Sequence, residues 1–231
     1  KHILVPGILF EELGFRYFGP IDGHDVVGLV DTLCNIKKIK DLCLLHIVTR
    51  KGKGVEWAEK DAERLHGVTP FDVKTGAKIK TPEEEEKAKR EGISYTRAFV
   101  KSLIQLARED HRIVAITAAM PTGTGLAEFQ KEFPNRFFDV GIAEQHAITF
   151  AGGLAKGGLK PVAAVYSTFL QRAQDQLIHD IALQRLSLIV AMDRAGLVGA
   201  DGATHNGVFD ISYLGHIPGA AIGAPRDEAE M

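Results

Sequence analysis

The pattern of apolar and polar positions changes twice along the chain. Residues 42–49 form an uninterrupted apolar run, Leu-Cys-Leu-Leu-His-Ile-Val-Thr, which predicts a strand buried on both faces. A turn at Asp22-Gly23-His24 and a helix to about Lys40 precede it, and Arg50-Lys51-Gly52-Lys53-Gly54 follows it. From there to about Gly92 the periodicity is lost in a polar stretch with Pro70, Pro82 and the acidic run Glu83 to Glu86. That composition reads as a linker, and the acidic run as a solvated helical turn. At Ser94, a good N-cap, apolar positions return at helical spacing through Phe99, Leu103, Ile104 and Leu106. Strands are then expected at residues 112–117, 137–140, 161–166 and 186–192, with helices at 126–133, 144–156 and 168–184. Such alternation predicts an α/β fold, a mostly parallel sheet with helices on both faces, reached by right-handed crossovers. A last apolar piece, 220–224, predicts the start of another strand, and a further helix is expected to begin near Met231.

Composition sharpens this only in part. The chain has 231 residues, 45% of them hydrophobic, enough for one large domain or for one domain and part of another. A net charge of −2 offers no global basic field for nucleic acid or an anionic membrane surface, which leaves anionic metabolites held by local arginines. No stretch approaches the roughly 18 apolar residues of a membrane span. The opening Lys1-His2-Ile3-Leu4-Val5-Pro6-Gly7 has neither an initiator Met nor a cleavage pattern, so a soluble fragment is expected. Cys34 and Cys43 fit no metal knuckle or disulfide framework and are expected as small core residues in a reducing compartment.

The chemistry collects where strands end. In a parallel sheet the carboxyl edge is where ligands bind. There the sequence places Ala118 to Gly125, then Glu144, then Tyr166-Ser167-Thr168-Phe169, then Asp193-Arg194-Ala195-Gly196. Glu144 stands where a strand gives way to a helix, and taken alone it admits two readings, a carboxylate complementing a helix N-terminus or a catalytic one. The last loop runs on through Gly199-Ala200-Asp201-Gly202-Ala203-Thr204-His205-Asn206-Gly207, long and polar for a connection. Asp201 and His205 lack a nearby third metal ligand, which favours substrate contact over a metal. Gly123-Thr124-Gly125 outlines a dinucleotide site, but Glu128 replaces the third glycine and would repel a pyrophosphate. Lys51-Gly52-Lys53-Gly54 lacks the spacing and the Ser/Thr of a Walker loop.

Gly-Ile-Ala-Glu-Gln-His at 141–146, Tyr-Ser-Thr-Phe-Leu-Gln-Arg at 166–172, Asp-Arg-Ala-Gly at 193–196 and Gly-Ala-Asp-Gly-Ala-Thr-His at 199–205 together resemble the 1-deoxy-D-xylulose-5-phosphate synthase family, which is transketolase-like. The similarity starts at Glu11-Glu12-Leu13-Gly14-Phe15 and Gly19-Pro20-Ile21-Asp22-Gly23-His24-Asp25, runs through Ala58-Glu59-Lys60-Asp61, and weakens between residues 70 and 92. It implies condensation of pyruvate with glyceraldehyde 3-phosphate, releasing carbon dioxide, to give 1-deoxy-D-xylulose 5-phosphate for isoprenoid, thiamine and pyridoxal biosynthesis. The implied cofactors are thiamine diphosphate, a carbanion-stabilising ylide, and Mg2+. By matching, Glu144 is the glutamate that hydrogen-bonds the cofactor's aminopyrimidine ring. Phe169 stacks on that ring and Met120 presses on the cofactor as an apolar wedge. Tyr166, Arg172 and Arg194 line the acceptor side, with Arg194 for the aldehyde's phosphate. Asp201 and His205 hold substrate oxygens and move protons, and His66 stands near the reacting centre. A homodimer in the bacterial cytoplasm, or in a plastid stroma, is implied as well.

Two departures from the family stand out. Val55 replaces an aromatic residue that touches the cofactor, and the Gly-Asp-Gly with its downstream asparagine, which holds magnesium and diphosphate, does not occur. The expected organisation is therefore 1–69 as the C-terminal part of the cofactor-diphosphate domain, 70–92 as linker, and 93–231 as the pyrimidine-binding domain, cut short at its C-terminus. The metal ligands are expected upstream of Lys1. Transketolase chemistry and a non-catalytic nucleotide-binding or assembly module are the alternatives.

Overall fold

The structure is a computed structural model and describes residues 7–60, 70–79, 93–199 and 201–231. It divides into two compact units, Lys1–Lys89 and Arg90–Met231. The acidic run at 83–86 lies outside the described residues.

In the first unit the elements are α1 (Ile8–Glu12), β1 (Arg16–Asp22), α2 (Val26–Ile36), β2 (Cys43–Val48) and α3 (Glu56–Lys60). Asp25 caps α2 by accepting the Gly28 N–H at 3.0 Å. β1 and β2 pair in parallel, from Arg16 opposite Cys43 to Asp22 opposite Val48. The sequence pattern does not reveal β1, because Arg16, Gly19, Pro20 and Asp22 interrupt its apolar positions. The burial expected of 42–49 is not met: Leu42 is 66% exposed and Val48 50%. Among the described residues β2 is paired with β1 alone. An apolar run records the surroundings a strand is suited to, and this unit leaves those faces open. For the same reason α2 has no buried residue, Cys34 on it is exposed and Cys43 only half-buried, contrary to their expected place in a core. Residues 70–79 close a turn through an antiparallel bridge between Phe71 and Lys78, with Trp57 edge-on to Phe71 at 5.3 Å.

The second unit contains α4 (Tyr95–Glu109), β3 (Ile113–Thr117), α5 (Leu126–Glu132), β4 (Phe137–Asp139), α6 (Glu144–Lys156), β5 (Lys160–Tyr166), α7 (Ser167–Leu170), β6 (Ile189–Asp193) and α8 (Asp210–Leu214). Ser94 caps α4 through the Arg97 N–H. The strands form one parallel sheet in the order β4-β3-β5-β6. Successive strand side chains point to opposite faces, so each strand feeds two cores. Ile113, Ala115, Phe137, Val162 and Ala164 face Val100, Leu103, Leu126 and Phe129 of α4 and α5. Ile116, Ala163 and Val165 face Ala147, Ile148 and Ala151 of α6, together with Ala173, Leu177 and Ile181. No helix among the described residues is long and apolar enough to cross a membrane.

Two expectations are corrected in this unit. The single helix expected at 168–184 is a helical run whose pitch changes, from α7 through a 3-10 turn (Gln171–Ala173) and a short α segment (Gln174–Gln176) to a π-helix (Leu177–Ala182). Its buried positions Ala173, Leu177 and Ile181 recur every four residues, a longer period than the roughly 3.6 of an α-helix, and the wider turn keeps them on one side. Residues 220–224 form no strand and stay exposed, folding back through an Ala220 N–H to Ile217 carbonyl bond of 3.1 Å. The five-residue α8 comes before them, too short to leave a periodic signature.

Phe129 is fully buried between α5 and the sheet. Its replacement by alanine is expected to destabilise the chain by about 3–5 kcal/mol in urea denaturation, because the cavity adds to the lost transfer energy. A loss below about 1 kcal/mol would contradict its place in that core.

Candidate active site at the carboxyl edge of the sheet

Parallel pairing brings the C-terminal ends of β3, β4, β5 and β6 to one edge. Asp139, the last residue of β4, ties the first two loops together. Its Oδ1 accepts the Ala119 N–H at 2.8 Å and the Gly141 N–H at 2.9 Å. Both donors lie in left-handed backbone, with φ of 60° at Ala119 and 72° at Gly141. Asp139 falls within the strand expected at 137–140, and its one sequence signal is the glycine two residues on, the spacing of an Asx turn.

Glu144 opens α6 and is 2% exposed. Arg172 Nη1 donates to both of its oxygens, at 3.0 and 2.9 Å. A buried carboxylate is tolerated when a cation and hydrogen bonds compensate its desolvation, and Arg172, whose side chain is 49% exposed, supplies both from the rim. Glu144 is thus both in a first helical turn and in a specific ion pair, held still in a water-poor setting.

Beside this pair lies an aromatic shelf. Tyr166 and Phe169 stack with centroids 5.8 Å apart and planes 8° from parallel. His205 stands edge-on to both, at 6.4 and 5.3 Å. The Arg172 guanidinium lies 5.4 Å from the Phe169 centroid and that of Arg194 4.2 Å from Tyr166. Burial pushes the Tyr166 phenol up against the opposing pull of Arg194, so it keeps its proton. A side chain at Gly123 would have its Cβ 2.1 Å from the Tyr166 hydroxyl, so the glycine there is needed for close approach.

Arg194 is the hub of the remaining charges. Its Nε donates to Asp201 Oδ2 at 2.9 Å, and its Nη1 to Asp193 Oδ1 at 2.8 Å and to the Gly123 carbonyl at 3.0 Å. Thr96 holds the other Asp193 oxygen at 2.8 Å. Burial works against the Arg194 charge, but Asp201, Tyr166 and Asp193 outweigh it and the guanidinium is held above its usual range. The loop carrying Asp201 and His205 is closed at its base by two backbone bonds between Gly196 and Gly207, of 3.0 and 2.8 Å, and by the Val198 N–H to Asn206 Oδ1.

The structure therefore brings Glu144, Arg172, Phe169, Tyr166, Arg194, Asp201 and His205 into one chain of contacts. Met120 is half-buried in the loop that carries Gly123, and its carbonyl accepts the Thr124 N–H and hydroxyl. His66 lies outside the described residues. Gly123 and Gly125 act as a close approach and a left-handed turn before α5, whose Ala127 N–H is already bonded to the Pro121 carbonyl at 2.9 Å, so this loop does not offer a pyrophosphate cradle. No group of three or more His, Cys, Asp and Glu among the described residues could hold a metal ion.

Comparison with known proteins identifies the family and the fold. Residues 91–231 match the family described as transketolase, pyrimidine binding domain, and residues 1–49 the family described as 1-deoxy-D-xylulose-5-phosphate synthase. The whole chain is 57% identical to the 1-deoxy-D-xylulose-5-phosphate synthase of Aquifex aeolicus and 54% to that of Lachnoclostridium phytofermentans, and it spans 36% of the length of each. Among solved structures, a split-gene transketolase described as an inactive β4 tetramer is 32% identical, with a TM-score of 0.54 over 61% of this chain and 45% of that one. The chain belongs to the transketolase pyrimidine-binding-domain family, and along its full length it is similar to the 1-deoxy-D-xylulose-5-phosphate synthases.

Proposed function

We propose that this chain serves thiamine diphosphate-dependent condensation of pyruvate with glyceraldehyde 3-phosphate, with loss of carbon dioxide, to give 1-deoxy-D-xylulose 5-phosphate. The observation that carries this reading is the buried Glu144 carboxylate fixed beside the Tyr166–Phe169 shelf, in a chain whose relatives bear that enzyme's name. The residues fit the cofactor's pyrimidine: Glu144 offers a desolvated acceptor for a ring nitrogen, and the half-buried Phe169 offers an aromatic face. When bound, thiamine diphosphate supplies the carbanion-stabilising ylide. Glu144 holds and shares a proton at the pyrimidine nitrogen, and its immobility in a dry site is what makes that transfer efficient. Met120 is assigned the apolar contact with the cofactor and His66 a place near the reacting centre.

On the acceptor side, Arg194 engages the aldehyde's phosphate. Its bonds to Asp201, Asp193 and Gly123 run through Nε and Nη1, so the Nη2 side of the fork is the edge a phosphate meets first. Asp201, His205 and Tyr166 orient substrate oxygens, and Arg172 reaches the same space from the rim. Mg2+ would anchor the diphosphate through ligands preceding Lys1 in the family's order. Residues 1–69 are assigned to the diphosphate-binding domain, 70–92 to the linker and 93–231 to the pyrimidine-binding domain. A homodimer, cytoplasmic in a bacterium, completes the reading. The likeness to a solved transketolase favours a ketose-phosphate donor as the second reading, and turnover with pyruvate rather than a ketose phosphate separates the two.

In the full-length protein, Glu144→Gln is expected to lower pyruvate turnover by about a thousandfold, within the range of acid–base contributions. Its melting temperature should fall only slightly, because the glutamine oxygen keeps one of the two bonds from Arg172 and no buried charge is left unpaired. Near-normal pyruvate consumption would exclude the assigned role. Arg194→Ala is expected to raise KM for glyceraldehyde 3-phosphate by about 10- to 100-fold, the scale of one lost charge-assisted contact. Unphosphorylated glyceraldehyde should be little affected, and an equal loss with both aldehydes would remove Arg194 from the phosphate.

A further inference from the structure

Beneath the aromatic shelf lies a second buried carboxylate that the chemistry above leaves unused. Asp210, the first residue of α8, is 7% exposed, and its Oδ2 accepts a 2.6 Å hydrogen bond from the fully buried Ser167 Oγ. Ser167 follows Tyr166 directly. Asp210 Oδ1 and the Tyr213 hydroxyl are also buried and have no hydrogen-bond partner among the described residues. They stand near each other, and burial, then the Asp210 charge and its close contact with the hydroxyl, pushes the Tyr213 phenol up. Burying a carboxylate against a single hydroxyl is costly, so its retention points to a task.

The surroundings define that task. A Cβ on Gly207 would stand 1.8 Å from Ser167 Oγ and 3.1 Å from Asp210 Oδ2, so the backbone at 207 is pressed onto the Ser167–Asp210 bond. Next to it, Thr168 Oγ1 donates to the Thr204 carbonyl at 3.1 Å. Two adjacent residues at the start of α7 thus grip both ends of the segment 204–210, and His205 lies inside that grip, edge-on to Tyr166 and Phe169.

We propose that Asp210 is a positioning residue: through Ser167 it locks the junction of β5 and α7 onto the segment 204–210, and so sets where the Tyr166–Phe169 shelf and the His205 imidazole stand. Its catalytic consequence rests on the function proposed above, whereas its structural consequence does not.

The test uses Asp210→Asn, Asp210→Ala, Ser167→Ala and the double alanine variant in the full-length protein. Asparagine keeps an oxygen for Ser167 and turns an amide toward Tyr213, so it should retain most of kcat. Each alanine variant should lose about tenfold or more in kcat, as misplaced reacting groups do, while KM for pyruvate moves by less than about threefold. The double variant should be no worse than the poorer single one, because both delete the same bond. In parallel, carbethoxylation of His205 by diethyl pyrocarbonate, read by peptide mass spectrometry against the exposed His111, should speed up several-fold in the alanine variants and not in the asparagine one. Additive losses, an asparagine variant as poor as alanine, or unchanged His205 labelling in the alanine variants would overturn the proposal. If Asp210→Ala fails to fold, Ser167→Ala and Asp210→Asn decide it alone. Labelling that changes as expected in a protein that never consumes pyruvate keeps the positioning role and removes the thiamine reading.

Discussion

Because the four strands of the larger unit run in one direction, each delivers its last residue, and the loop after it, to the same edge of the sheet. Everything assigned to the site depends on that arrangement. β3 and β5 are apolar on both faces and covered by helices on both, so their ends form a floor that cannot shift without disturbing two cores at once. Asp139 then fixes the loops above that floor with one carboxylate oxygen shared between two backbone donors.

Charge at this edge is compensated pair by pair. Glu144 is answered by Arg172, and Arg194 by Asp193 and Asp201. Both guanidiniums also lie near rings of the stacked Tyr166 and Phe169, a setting worth about 1 kcal/mol each at partly exposed positions. A ligand entering such a site exchanges partners rather than meeting bare charges. The cost of desolvation has then been met during folding, and part of each ion pair must be given up on binding.

The smaller unit shows the opposite condition. Its β1–β2 pair and α2 carry apolar residues, among them Val26, Val27, Leu33 and Val48, on exposed faces. The chain spans 36% of the length of the relatives it matches. Periodicity reports how a segment would be buried, so it read 42–49 as a covered strand. It had no means of reporting which covering segments the chain contains.

The order of strands and helices from Ser94 to the last strand of the sheet, the α/β class and the residues gathered at the strand ends were legible from the sequence alone, because local periodicity and turn chemistry dictate them, whereas α8 and the absence of a strand at 220–224 were not. So was the family, through long motifs in order. What only the tertiary structure decided were the pairings across distance: Arg172 onto Glu144, Thr96 onto Asp193, Asp139 between two loops, and Ser167 onto Asp210. Each joins residues whose separation along the chain carries no periodic signal, or spends a polar side chain on backbone amides that sequence does not mark. Glycine roles divide in the same way. Gly141 is expected from its turn, but Gly123 and Gly207 are glycines because another segment's Tyr166 or Ser167 occupies the space of a side chain, and that is a property of packing.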